Sequence, residues 1–105
     1  MIDVEKLINE MQAQDRAFNV DLFHRTTMRG RRTGGLKTTM QTSCEIALAL
    51  VEEEDGEVMM CAGRAVSTDQ DAAIRAAMED VLQGVARHSA ECSLYWRSFF
   101  ESVGI

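Results

Sequence analysis

The sequence predicts an α+β fold: a three-stranded antiparallel β meander with an N-terminal helix and one or two C-terminal helices packed on one face. Three observations predict it. Cys44, Ile46, Leu48 and Leu50 alternate with a second set of residues, the period of a strand with one buried face. Asp55-Gly56 follows, a pair suited to the positive φ angles of a type I′ hairpin turn. Beyond the returning strand, Ile74, Ala77, Met78, Val81, Leu82 and Val85 recur at helical spacing. A chain of 105 residues makes a single domain. Its core is expected over residues 3–86, with an aromatic C-terminal helix at about 89–102.

In chain order, residues 3–14 read as a helix. Val4, Leu7, Ile8 and Met11 share one face, and Asp3 is placed to cap the first turn. Residues 17–28 fit two patterns. Phe18, Val20 and Leu22 alternate as in a strand, while Met11, Phe18 and Leu22 also extend a helical stripe. Thr26 and Thr27 tip the choice to a strand, because β-branched residues favour sheets. The stretch Arg29 to Lys37 contains three glycines and reads as a turn or flexible hairpin tip. The second strand then begins near Lys37 or Thr38 and runs to Val51.

A two-residue turn at Asp55-Gly56 pairs Glu54 with Glu57, Leu50 with Cys61 and Ile46 with Ala65. Ile46, Leu48, Leu50, Met59 and Cys61 then share the core face. The opposite face carries Ala47, Ala49, Val51, Val58, Met60 and Val66, less polar than a solvated face usually is. It reads either as an ordinary surface with scattered apolar groups or as a contact surface for a partner or second copy. Ser67 to Asp71 supplies capping and acidic residues for the next helix, expected over 69–85. One helix to Phe100 would span roughly 48 Å, too long for this domain, so a break is expected between Gly84 and Ser89. The last helix brings Leu94, Tyr95, Trp96, Phe99 and Phe100 to the core or to a partner.

The net charge is −6, which argues against a general binder of nucleic acid or membranes. Its distribution is uneven. Residues 21–40 sum to +4, with Arg25, Arg29, Arg31, Arg32 and Lys37 set against Asp21. Residues 41–60 sum to −6 through Glu45, Glu52, Glu53, Glu54, Asp55 and Glu57. These blocks fall at opposite ends of the second strand, roughly 45 Å apart for fourteen residues. The domain is therefore expected to be a bar with a positive and a negative end. No apolar run reaches bilayer length, and the N-terminus lacks the basic start and apolar centre of a signal peptide, so a cytoplasmic protein is expected. Three scattered cysteines read as buried free thiols.

The residues Gly63-Arg64-Ala65-Val66-Ser67 followed by Ala72-Ala73-Ile74 and Ala76-Ala77-Met78 resemble the end of a double-stranded RNA-binding domain. The resemblance covers about residues 3–86 and implies an α-β-β-β-α core. It also implies a role for Arg29 to Lys37, which match the loop that family inserts in the minor groove. Where the family carries a lysine cluster, this chain has Asp69, Gln70 and Asp71, and carboxylates repel phosphate. In size, acidity and α/β pattern the chain also resembles small acidic proteins of phages and mobile elements, including anti-CRISPR inhibitors.

No constellation of catalytic residues is evident, so the chain is not expected to be an enzyme. His88 and Cys92 stand four apart on an expected helix, but a zinc site normally shows two such pairs, and neither metal nor cofactor is expected. The acidic run lacks the ligand spacing of a calcium loop. The sequence points instead to a non-catalytic inhibitor or adaptor that binds a protein, with a host nucleic-acid-handling defence complex as the kind of target the phage-like type implies. Three surfaces would serve it: the acidic end at Glu52, Glu53, Glu54, Asp55 and Glu57, the basic loop, and the apolar or aromatic residues Val51, Val58, Met60, Tyr95 and Trp96. The alternative is a nucleic-acid binder acting through the basic loop. A homodimer is expected through the weakly polar face or head-to-tail contact of the charged ends.

Overall fold

A computed structural model describes residues 1–14, 16–51 and 58–105. The elements are α1 (Val4–Gln12), β1 (Phe18–Arg31), β2 (Gly35–Val51), β3 (Val58–Ser67), α2 (Gln70–His88) and α3 (Ala90–Ser102). The strands form an antiparallel sheet in the order β1-β2-β3. This is the α+β meander the sequence predicts, with all three helices contributing buried side chains to one core.

Each element follows from local chemistry. Asp3 caps α1, its carboxylate accepting the Lys6 N–H at 3.1 Å, and α1 buries Leu7 and Met11. Residues 18–31 are strand throughout, which settles the ambiguous stretch. Along α2 the whole expected stripe from Ile74 to Val85 is buried. The break falls at Ser89, whose backbone is extended and whose Oγ accepts the Cys92 N–H at 3.2 Å. Gly84 lies inside α2 and does not end it. A glycine costs a helix about 1 kcal/mol, and burial of Val81, Leu82 and Val85 around it outweighs that.

The β2–β3 pairing differs from the two-residue-turn register. Leu50 faces Met59, Leu48 faces Cys61 and Ile46 faces Gly63, a shift of two residues. A shift of two leaves every side chain on its face, so Ile46, Leu48, Leu50 and Cys61 still enter the core. The Asp55-Gly56 turn itself lies outside the described residues. Gly63 marks where β3 meets α2 most closely. A Cβ there would collide with the Ala77 carbonyl oxygen and the Val81 backbone nitrogen.

The basic stretch departs most from expectation. Arg29 to Lys37 is a hairpin tip, as one of the two readings has it, but most of it is paired strand. Arg29 pairs with Lys37, Gly30 with Leu36 and Arg31 with Gly35, and only Arg32-Thr33-Gly34 make the turn. Gly34 sits at φ 75°, as the last residue of a three-residue hairpin loop requires. Glycines that would break a helix are tolerated in this ribbon, where a Cβ at Gly30 or Gly35 would meet nothing within 4 Å. β3 ends at Ser67, opposite Thr42, so Arg25–Arg31 and Gly35–Gln41 continue as two strands alone. At strand rise they project about 24 Å beyond the three-stranded body. The chain measures 63 × 25 × 17 Å, and this arm accounts for much of its length.

Candidate interaction surfaces

The sheet has two faces with different surroundings. Even-numbered residues of β1 and β2 and odd-numbered residues of β3 point toward the helices. Among the described residues no helix lies on the other face. There Phe23, Ser43 and Val66 form one cross-strand row, Asp21, Glu45 and Arg64 the next, and Asn19, Ala47 and Ala62 a third. Phe23, Val66 and Met60 are exposed on it, and Ala47 and Ala49 are buried. Arg64 pairs with Glu45 across the middle. A depression of about 280 Å³ is lined by Phe23, Arg25, Gln41, Ser43 and Val66.

The arm divides its residues by parity. On the helix-free face, Arg25, Arg29 and Lys37 stand with Thr27, Thr39 and Gln41. Part of this set, Thr27, Arg29, Lys37, Thr39 and Gln41, lines a depression of about 220 Å³. Arg32 lies exposed in the tip. The other face carries Met28, Leu36 and Met40, exposed at 67%, 74% and 65%, beside Thr26 and Thr38. At its base, His24 Nδ1 lies 3.1 Å from the Thr42 hydroxyl. The segment 25–41 holds five cations and no carboxylate, so the overall −6 leaves −11 on the rest of the chain.

Among the aromatic expectations, Trp96 is corrected. It is fully buried, with Tyr95 and Phe99 edge-on at 5.4 and 5.5 Å, so it offers no surface to a partner in this fold. Tyr95 is half-buried. Arg16 covers its ring at 3.9 Å, and its hydroxyl donates to Gln14 Oε1. Leu94 next to it is exposed, and a shallow groove of about 620 Å³ runs along α3 past Glu91, Leu94, Tyr95, Ser98 and Phe99. Glu52, Glu53, Glu54, Asp55 and Glu57 lie outside the described residues, as do the side chains of Val51, Val58 and Arg31.

Reactive chemistry is subdued. Burial, helped by the charge of Asp21, pushes the Cys44 thiol up to about 11, and burial raises Cys61 as well. A raised thiol pKa leaves little thiolate to attack an electrophile. His88 ends α2 and Cys92 lies in α3, so the pair does not share one helix face. Among the described residues, no three His, Cys, Asp or Glu side chains converge on a metal-sized site. Asp71 has a structural partner. Its carboxylate accepts the Ile2 N–H at 3.0 Å, the main cause of its lowered pKa.

Sequence reasoning missed Phe23, Met28, Leu36 and Met40. A signal for three of them was present. Met28, Leu36 and Met40 continue the parity of the core residues Leu22, Cys44 and Ile46 past the end of the core. The chain matches no protein-family model, no curated protein and no solved structure. No helix among the described residues is long and apolar enough to cross a membrane.

Proposed function

We propose that this chain is a small non-catalytic binding protein, an inhibitor or adaptor that engages another protein through the helix-free face of its sheet. One observation carries the reading: Phe23, Met60 and Val66 are exposed on a sheet face that no helix among the described residues covers. Exposed apolar patches on small proteins commonly mark interaction sites. The sequence between β2 and β3, residues 52–57, is strongly acidic. The partner it suits is a basic surface, including one that normally holds nucleic acid, as in a defence complex. Affinity capture from the source cell tests the proposal. The wild-type chain retains a discrete partner. Phe23→Glu with Val66→Glu reduces retention at least about tenfold, equivalent to roughly 1.4 kcal/mol. Charge reversal at Glu52, Glu53 and Glu54 mainly slows association. Equal capture by all three chains would refute the reading.

A second reading rests on the arm's basic face. Its reach of about 24 Å is roughly three screening lengths at physiological salt, so the acidic body only weakly repels a polyanion at the tip. Arg25, Arg29 and Lys37 stand among hydroxyl and amide groups that can donate to phosphate. Binding of duplex DNA would then weaken with salt at a log–log slope near −4. Replacing Arg25, Arg29 and Lys37 by alanine would flatten it by roughly three units. Absence of salt-dependent binding removes this reading and leaves the first untouched.

A further inference from the structure

We propose that the β1–β2 arm is an exchanged element: its apolar face, with Met28, Leu36 and Met40, docks on the helix layer of a second copy, which returns its own arm in the same way. The inference stands apart from the proposed function, which uses the opposite face of the sheet.

Symmetry favours this partner. The arm's apolar face continues, by parity, the sheet face on which its own body carries helices. A two-fold axis perpendicular to the long axis and lying in the sheet plane direction across the strands turns a second copy end for end and upside down. Each arm then passes over the other's helix layer with its apolar face toward it. A helix layer is about 10 Å thick. The arm of one copy, held at its own sheet level, therefore rests on the helices of the other without bending. Such a contact is isologous and closes as a dimer.

Charge favours it too. The arm carries +5 and the remainder of the chain −11, so arm and body attract while two arms repel. The groove along α3 offers Leu94 and the rim of Tyr95 to an apolar ribbon, with Glu91 beside them. Area separates this arrangement from a simpler one. One face of the arm measures about 240 Å², from two strands side by side over about 24 Å. Two arms packed face to face would bury about 500 Å² in total, below the roughly 1,000 Å² a specific interface needs. Two arms laid on two bodies bury about twice as much, before any contact between bodies is added.

The test uses the full chain. Sedimentation equilibrium of the wild type is expected to show a dimer that weakens as salt is raised. Leu36→Glu and Met28→Glu, both at exposed arm positions, should leave the circular dichroism spectrum unchanged and raise the dissociation constant at least about tenfold. With Thr38→Lys, which puts an amine on the docking face, a zero-length carbodiimide should link position 38 of one copy to Glu91 or Glu101 of the other in a mixture of isotopically light and heavy chains. A monomer at every concentration overturns the proposal. So does a dimer indifferent to both substitutions, or one whose position-38 links never join light to heavy chains. Protection of Met28 and Met40 from oxidation only after addition of a duplex oligonucleotide or another protein would assign the surface to that occupant instead.

Discussion

Trp96→Ala is expected to destabilise the chain by about 3–5 kcal/mol, the range for removing a large aromatic from a packed interior. Trp96 is fully buried where α3 meets the rest of the core, with three aromatic rings around it at 5.4 to 6.0 Å. Its indole Nε1 has no acceptor among the described residues. An unpaired buried donor costs about 1–3 kcal/mol. Trp96→Phe removes that donor and keeps most of the ring contact, so it should lose less than half of what alanine loses. Urea denaturation gives both values. As the chain's single tryptophan, Trp96 also reports directly, and its native emission should be blue-shifted and poorly quenched by iodide. An alanine cost below about 0.5 kcal/mol, the size expected at a surface, would place the side chain outside the core.

Gly63→Ala should destabilise by about 3 kcal/mol or more, at the upper end of overpacking penalties. The atoms a new Cβ would meet are the Ala77 carbonyl oxygen, the Val81 nitrogen and the Val81 Cβ. Two of these belong to helix backbone, which cannot swing aside as a long side chain can. Relief requires α2 to move away from β3, loosening the packing of Ile74, Val81 and Leu82 at once. Gly84→Ala provides the contrast. Its Cβ meets nothing within 4 Å, and replacing a helical glycine by alanine should stabilise by roughly 0.5–1 kcal/mol. If thermal melts show the two substitutions equal, the close approach of α2 and β3 is wrong.

Much of the fold was legible because periodicity reports burial directly. The alternation from Cys44 to Leu50 and the stripe from Ile74 to Val85 are both buried as the pattern implies. The core face survived a two-residue error in register because pleating repeats every two residues. The break before α3 was legible in Ser89, a hydroxyl placed to accept a free amide. The arm was legible only as a turn or hairpin tip. Its glycines argued against helix, but pairing depends on the partner strand and has no local signature at Arg29 to Lys37. Trp96 illustrates the same limit. A helix rich in aromatics at 94–100 looks alike whether it faces a core or a partner, and only packing decided that Leu94 is exposed while Trp96 and Phe100 are buried.

The dimer proposal depends on the arm being an interaction element the body does not need in order to fold. A shortened chain tests this most directly: residues 27–39 replaced by Asn-Gly, a pair that closes a two-residue hairpin between Thr26 and Met40. Every residue of the buried core lies outside the replaced segment. Thermal denaturation of the shortened chain, followed by sedimentation of the same sample, is the measurement. The account predicts a cooperative melt within a few degrees of the wild type and a monomer under conditions where the intact chain dimerises. A shortened chain that fails to fold, or one that folds and still dimerises with wild-type affinity, would contradict it.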